Sequence, residues 1–308
     1  MSMLASPPET RRLGRSDIFI SPLAWGMWRL AETYRSIEDA ARLVHTAVDC
    51  GITLLDTADI YGFDGLRGFG AAESLLGEVL AAEPGLRGRF VLATKGGIAP
   101  PAPYDQSAGY MRGAIEASLQ RMRVEVIDLY QIHRPDILAH PQELARVLED
   151  ALASGKIRSV GVSNFSRHQT AALNHFLGGI LASTQLEISP LQIEPVQDGA
   201  MDQAMMLGLT VLAWSPLAGG RLLNPVDARD VAVGMAVAGA LDDFADARGI
   251  SRSVAALSWL MAHPAGIVPI VGSQDVARIR QAARAGDVVW NRQDWYGILV
   301  AARGESLP

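Results

Sequence analysis

Short apolar runs alternate along this chain with longer stretches in which apolar residues recur every three or four positions. The first pattern predicts buried strands and the second helices with one apolar face. Strand-like runs fall at residues 23–26, 52–55, 90–95, 127–133, 159–162, 182–188, 209–213 and 267–271. Between them, Ser36-Ile-Glu-Asp39 carries a helix-start signature, a hydroxyl followed three residues on by an acid. Ile37, Ala40, Ala41, Val44, Ala47 and Val48 then form one apolar stripe, ended by Gly51. Residues 71–82 predict a second helix. Ser107 is placed to cap a third, with the stripe Met111, Ile115, Leu119 and Met122. Pro141 suits the opening turn of a fourth, which carries Leu144, Val147, Leu148, Ala151 and Leu152.

About eight strand–helix units follow one another, and regular alternation implies a parallel sheet with right-handed crossovers. Eight units imply a closed (β/α)8 TIM barrel. A doubly wound sheet would want Gly-x-Gly-x-x-Gly straight after an early strand, and glycines 62, 65, 68 and 70 lack that spacing. No Pro/Gly/Ser linker divides the chain, so residues 1–308 are expected to form one domain. Residues 1–9 are expected to be a flexible tail, and residues 11–20 a short hairpin turning at Gly14-Arg15. The stretch from Ala218 to Gly266 is too long for a simple loop, and helical patterns fall at about 229–248 and 251–263. A last helix over 292–303 would bring Trp295 and Tyr296 towards a barrel face, either to cover it or simply to pack.

Composition narrows the function. The 27 basic and 33 acidic residues give a formal charge of −6, with no electrostatic case for nucleic acid or anionic membrane. No apolar run approaches the roughly 20 residues of a membrane span, and the N-terminus lacks the order of a signal peptide. A cytoplasmic location is the expectation. Cys50 is the only cysteine, expected as a small buried residue, and no His or Cys spacing suggests a metal site.

The chemistry collects at strand ends. The run 52–55 ends on Asp56, and Tyr61 follows in a Gly-flanked loop. An unpaired buried carboxylate is expensive, so Asp56 calls for a cation, and Lys95 at the end of the next run is the best candidate. His133 ends the run after that.

Asp56, Tyr61, Lys95 and His133, in that order and context, resemble the catalytic tetrad of the aldo-keto reductase superfamily. Gly161-Val-Ser-Asn-Phe165, Gln185-Leu-Glu-Ile-Ser-Pro190, Ala213-Trp-Ser-Pro-Leu217 and Pro269-Ile-Val-Gly-Ser273 extend the resemblance over nearly the whole chain. Ile132-His-Arg-Pro-Asp136 and Gly219-Gly-Arg-Leu222 are most similar to the bacterial YdhF-like branch.

The resemblance implies reduction of an aldehyde or ketone by hydride transfer from NAD(P)H, with Tyr61 as general acid. Lys95 would bring the phenol, ordinarily near pKa 10, closer to working pH, with Asp56 holding the lysine and His133 orienting the substrate oxygen. Ser163, Asn164 and Gln185 would bind the carboxamide, and Trp214 would stack under the nicotinamide. Gly26, Met27 and Trp28 would lie near the ring, although core packing is a rival for Trp28. Ser215, Pro216, Leu217, Gly219 and Gly220 would follow the pyrophosphate, and Gly272, Ser273, Arg278 and Gln281 the adenosine. Trp28, Tyr61 and His133 would face the substrate, with Trp295 a further candidate. Asp59, Asp136 and His140 look like capping or loop residues.

This chain has Ile270 where many relatives place a lysine for the 2′-phosphate, and Ala282 where an asparagine is common. Arg278 remains as a cation, while Asp275 could accept a hydrogen bond from an unphosphorylated ribose. NADP(H) is favoured and NAD(H) stays possible. The partner expected is a small carbonyl compound, and the protein a monomer or weak oligomer. Two other functions stay open. One is a nucleotide-binding regulatory module on the same fold; the other is a sugar or alcohol dehydrogenase working in the oxidative direction.

Overall fold

Eight parallel strands close on themselves in the structure, a computed structural model that describes residues 2–31, 36–227 and 230–307. A hairpin of β1 (Arg11–Arg12) and β2 (Phe19–Ile20) comes first. The barrel strands are β3 (Ala24–Gly26), β4 (Leu54–Asp56), β5 (Val91–Gly96), β6 (Ile127–Ile132), β7 (Ile157–Ser163), β8 (Ser183–Glu187), β9 (Thr210–Trp214) and β10 (Val268–Val271). Each pairs with the next, and β10 returns to β3. Helices α1 (Ile37–Asp49), α2 (Ala71–Ala82), α3 (Ala108–Met122), α4 (Pro141–Ala153) and α5 (Arg167–Phe176) follow β3 to β7 in turn. The short α6 (Glu194–Gln197) and α7 (Ala200–Leu207) follow β8, while α8 (Val231–Asp246) and α9 (Arg252–Met261) follow β9. After β10 come α10 (Val276–Ala283) and α11 (Arg292–Arg303).

Local chemistry fixes the helix starts. The Ser36 hydroxyl accepts from the Asp39 amide at 3.1 Å, and the Ser107 hydroxyl from the Tyr110 amide at 3.4 Å. Pro141 opens α4, and His140 caps it by accepting from the Gln142 amide. Ile37 is 37 % exposed, so the buried stripe of α1 starts at Ala40, and Leu43 and Thr46 widen it. Cys50 is half-buried at the end of α1 rather than buried. Of the pattern at 229–248, residue 229 lies outside the described residues, and α8 starts at Val231 behind an Asp230 cap.

Alternation along the strands divides the apolar residues into two cores. Leu54, Ala93, Leu129, Leu212, Val268 and Ile270 point inwards and meet Leu13, Ile18 and Ile20 of the hairpin, which plugs one end of the barrel. Trp25, Leu55, Leu92, Tyr130, Val160 and Val211 point outwards into the layer between strands and helices. The plug depends on Gly14, whose φ is +59° and whose Cα faces Ala182; a Cβ there would lie 2.5 Å from the Ala182 carbonyl oxygen.

Within the N-terminal segment expected to be flexible, residues 2–4 are bonded: the Leu4 amide donates to the Trp290 carbonyl at 2.8 Å, Met3 bridges to Asn291, and the Arg292 amide donates to Ser2. Met1 lies outside the described residues. Of the two roles open to Trp295, packing is the one seen: it stacks on Trp259 at 4.8 Å, and each indole N–H donates to the other residue's carbonyl. A second stack, Arg248 over Phe244 over Trp290, ties α8 to the segment before α11. Among the described residues no helix is long and apolar enough to cross a membrane.

Gly14→Ala is expected to lower stability by about 1–3 kcal/mol, from the left-handed backbone and the clash with Ala182 together. Urea unfolding followed by circular dichroism measures it, and an unchanged midpoint would contradict the plug's role.

Candidate active site

The inward row continues past the apolar layer. Asp56 follows Leu54, Lys95 follows Ala93 and Gln131 follows Leu129, so three polar side chains enter the barrel just above its core. Strand register sets them side by side, with Lys95 opposite Gln131 and Asp56 opposite Ala93.

Lys95 is fully buried, and its three N–H groups have three acceptors. Nζ donates to Asp56 Oδ2 at 2.6 Å, to the Thr57 carbonyl at 2.8 Å and to Tyr61 Oη at 2.9 Å. The other Asp56 oxygen accepts from Gln131 Nε2 and Gln185 Nε2, both at 3.1 Å. Tyr61 lies on the loop after β4, which is clamped to β5 and α2. There the Asp59 amide donates to the Lys95 carbonyl, and the Ala72 amide to the Tyr61 carbonyl. His133 stands one residue past β6, anchored by its amide on the Gly96 carbonyl at 2.9 Å. Its ring meets Tyr61 edge-on at 5.8 Å. The structure therefore brings Asp56, Tyr61, Lys95 and His133 together.

Burial and charge pull these groups in opposite directions. Burial lowers the Lys95 ammonium, but Asp56 and Tyr61 outweigh it and hold the group above its ordinary value. Burial raises the Tyr61 phenol, and Lys95 only partly offsets this, so the phenol stays protonated rather than moving towards neutral pH as expected. Burial, with Lys95 and Arg134, pushes His133 well below the usual imidazole range, so the ring is neutral. Its Nδ1 is buried without a protein partner.

The rim beside this cluster is built from β7, β9 and β10. Asn164 Nδ2 donates to Ser163 Oγ and to the His133 carbonyl, and its Oδ1 accepts from Trp214 Nε1 at 2.9 Å. Gln185 has committed its amide nitrogen to Asp56, which leaves its oxygen to receive a ligand. Asn164, Ser215 and Ala218 hold φ of +60°, +48° and +54°, a cost that non-glycine residues bear chiefly at functional sites. Gly219 and Gly220 continue the turn, and a Cβ on either, or on Gly272, would meet nothing within 4 Å. Open backbone of this kind can meet a phosphate closely, so the rim fits a dinucleotide.

The other expected contacts differ in exposure. Trp28 is 54 % exposed, while Met27 is buried in the strand–helix layer and is not available to a ligand. Gly26 is buried, its carbonyl accepting from Gln274 Nε2. Pro216 is buried and Leu217 half-buried beside the turn. The Ser273 carbonyl accepts from Trp25 Nε1, and its hydroxyl from the Asp275 amide. Arg278 and Gln281 are exposed on α10, whereas Ile270 lies inside the barrel. Asp275 Oδ1 caps α10 by accepting from the Arg278 amide. A cavity of about 510 Å³ between the loops after β4 and β5 is lined by Phe63, Phe69, Pro100 and Tyr110. Among the described residues no group of His, Cys, Asp or Glu is gathered to hold a metal.

Sequence reasoning missed Gln131 and did not foresee that Asp59 is buried. Gln131 is a polar residue two before His133, and the two-residue strand period alone points it at Asp56. Asp59 is a loop residue, one of the two roles expected of it, and it is buried. Lys95→Met would leave Asp56 a buried, uncompensated carboxylate and is expected to cost about 3–5 kcal/mol. Asp56→Asn in the same chain should recover part of that loss; chemical denaturation of the single and double variants checks it.

The comparisons agree with this geometry. The model of the Aldo/keto reductase family matches residues 22–298. The chain is 68 % identical over 308 residues to 6-dehydroglucose reductase of Novosphingobium aromaticivorans, covering 100 % of both chains. It is 34 % identical over 295 residues to oxidoreductase YdhF of Escherichia coli, covering 94 % of this chain and 95 % of YdhF. The crystal structure of an aldo/keto reductase from Klebsiella pneumoniae in complex with NADP and acetate superposes with a TM-score of 0.78 at 26 % identity, covering 94 % of each chain. A parallel barrel with a plugged floor, an Asp–Lys–Tyr–His cluster above its core and an open rim beside it thus belong to an oxidoreductase of the aldo/keto reductase family.

Proposed function

We propose that the protein reduces the carbonyl group of a sugar aldehyde with NADPH, and that 6-dehydroglucose is its substrate. The observation that carries the chemistry is the triple donation of Lys95 to Asp56, Thr57 and Tyr61. An ammonium has no acceptor. Because Lys95 donates to the phenol oxygen, the phenol hydrogen must point elsewhere, towards a substrate at the mouth.

When bound, the nicotinamide supplies the hydride that adds to the carbonyl carbon. Tyr61 gives its proton to the carbonyl oxygen, and Lys95 stabilises the phenolate left behind. Asp56 keeps Lys95 charged in its buried position. Neutral His133 donates from Nε2 to the substrate oxygen and orients it, since an N–H on the buried Nδ1 would have no acceptor. Asn164 and the Gln185 oxygen hold the carboxamide, Ser163 sets the Asn164 amide, and Trp214 lies against the ring. Ser215, Leu217, Gly219 and Gly220 meet the pyrophosphate. Arg278 pairs with the 2′-phosphate, which favours NADP(H) over NAD(H).

The substrate rests on likeness: identity of 68 % over the full length of both chains is to a protein named for 6-dehydroglucose. Exposed Trp28 and the aromatic cavity beside the Tyr61 loop suit the C–H faces of a sugar.

Tyr61→Phe is expected to lower kcat by about 10²-fold or more while NADPH still quenches tryptophan fluorescence at nearly the same concentration. Lost binding would mean the phenol is misassigned. Arg278→Ala should reduce the NADPH-to-NADH ratio of kcat/KM by about tenfold or more. An unchanged ratio would place phosphate recognition elsewhere. Among aldehydes assayed with both cofactors, 6-dehydroglucose should show the highest kcat/KM; a preference for simple aromatic aldehydes would overturn the substrate.

A further inference from the structure

Asp59 is a buried carboxyl that the reaction above does not use. It is 1 % exposed, and neither carboxylate oxygen has a side-chain partner, the neighbouring Ile60 amide being the one backbone group that favours its charge. The Tyr130 hydroxyl is buried and unpartnered as well. Both stand against Gly96, the residue after Lys95: a Cβ at Gly96 would lie 2.1 Å from Tyr130 Oη and 3.2 Å from Asp59 Oδ2. Only glycine leaves them that space. Asp59 thus sits across the barrel wall from Lys95, on the loop that carries Tyr61.

We propose that Asp59 is a positioning residue acting on Tyr61 by charge: un-ionised, it leaves Lys95 in command of the phenol, and ionised, it opposes Lys95 and weakens Tyr61 as a proton donor. This rests on Tyr61 being the acid of the reaction. Ionisation of the carboxyl is disfavoured because burial strips it of water and no side chain donates to it. Several charged and titratable groups face it. Glu73 on α2 repels its charge; Arg121 on α3 and Lys95 on β5 attract it; Tyr110 on α3, Tyr130 on β6 and Tyr61 on its own loop lie within its influence. The two cations are largely claimed, Arg121 by Glu73 at 2.7 Å and Lys95 by Asp56. Burial, then Glu73, accordingly holds the Asp59 carboxyl well above the usual carboxylate range. Its ionisation raises the Tyr61 phenol further, through a charge of the same sign as the phenolate.

The sign of the effect on stability follows from linkage. A carboxyl raised in the folded state contributes nothing below its unfolded pKa, near 4, and costs stability progressively as pH climbs through the folded value. Asp59→Asn keeps the shape and removes the titration. Its folded form should therefore lose less of its thermal midpoint between pH 6 and pH 9 than the wild type.

Three measurements test the proposal. Infrared spectra of the wild type at pH 7 should contain the C=O stretch of a protonated buried carboxyl, absent in Asp59→Asn; no such band overturns the proposal. The alkaline fall of kcat for carbonyl reduction should move to higher pH by about one unit or more in Asp59→Asn; superimposable profiles overturn it. Should that variant not fold, Glu73→Gln takes its place: with the like charge beside Asp59 removed, the carboxyl should ionise sooner and the same fall should move to lower pH, and no movement overturns the proposal. Turnover retained by Tyr61→Phe would defeat the functional reading and leave the infrared band in place, so the two failures are distinguishable.

Discussion

A lysine with no exposure to solvent keeps its charge only if the protein supplies what water would, and that requirement organises the mouth of this barrel. Asp56 supplies the opposite charge at 2.6 Å, and the Thr57 carbonyl and Tyr61 oxygen take the remaining donors. Asp56 in turn needs its second oxygen covered, which Gln131 and Gln185 do. One ammonium therefore recruits groups from β4, β5, β6 and β8. Buried pairs of this kind seldom stabilise a fold relative to apolar side chains of the same size. Their value here is orientation, because all three Lys95 hydrogens are assigned and one of them fixes the Tyr61 oxygen.

The same arrangement separates acidity from geometry. In the proposed reaction Lys95 would make the phenolate tolerable after proton transfer, while burial keeps the phenol protonated beforehand. An acid must hold its proton until the hydride arrives, so a pKa raised at rest is consistent with donation. The neighbouring imidazole, held neutral by burial and by Lys95, can then donate without adding a second cation beside the ammonium.

Much of this was legible in the sequence because both periods are local. Alternation of two along the strands and of three to four along the helices gave eight units, and strand ends carried Asp56, Lys95 and His133 to one rim. Residues 71–82 and 292–303 are helices with the bounds the pattern set. What was not legible depends on contacts between distant segments. Nothing within residues 1–9 signals that Ser2 and Leu4 will bond the segment ahead of α11. Trp295 has the composition of a lid residue, but Trp259 offers it a stack and a carbonyl. Asp59 has the local context of a loop residue, and only the folded wall closes over it. Gln131 was the avoidable omission, since strand period alone aims it at Asp56.

Strain and stability sit in different layers of the molecule. Asn164, Ser215 and Ala218 hold left-handed backbone at the ends of β7 and β9, each at a cost of about 1–3 kcal/mol. Lys95, Asp56 and Asp59 add desolvation at the same rim. None of these features would persist on a loose scaffold. The compensating interactions lie elsewhere: the plug of Leu13, Ile18 and Ile20 fills the floor, and the Arg248–Phe244–Trp290 and Trp259–Trp295 stacks fasten the outer helices. The barrel can hold costly groups at its mouth because its apolar packing is complete below and around them.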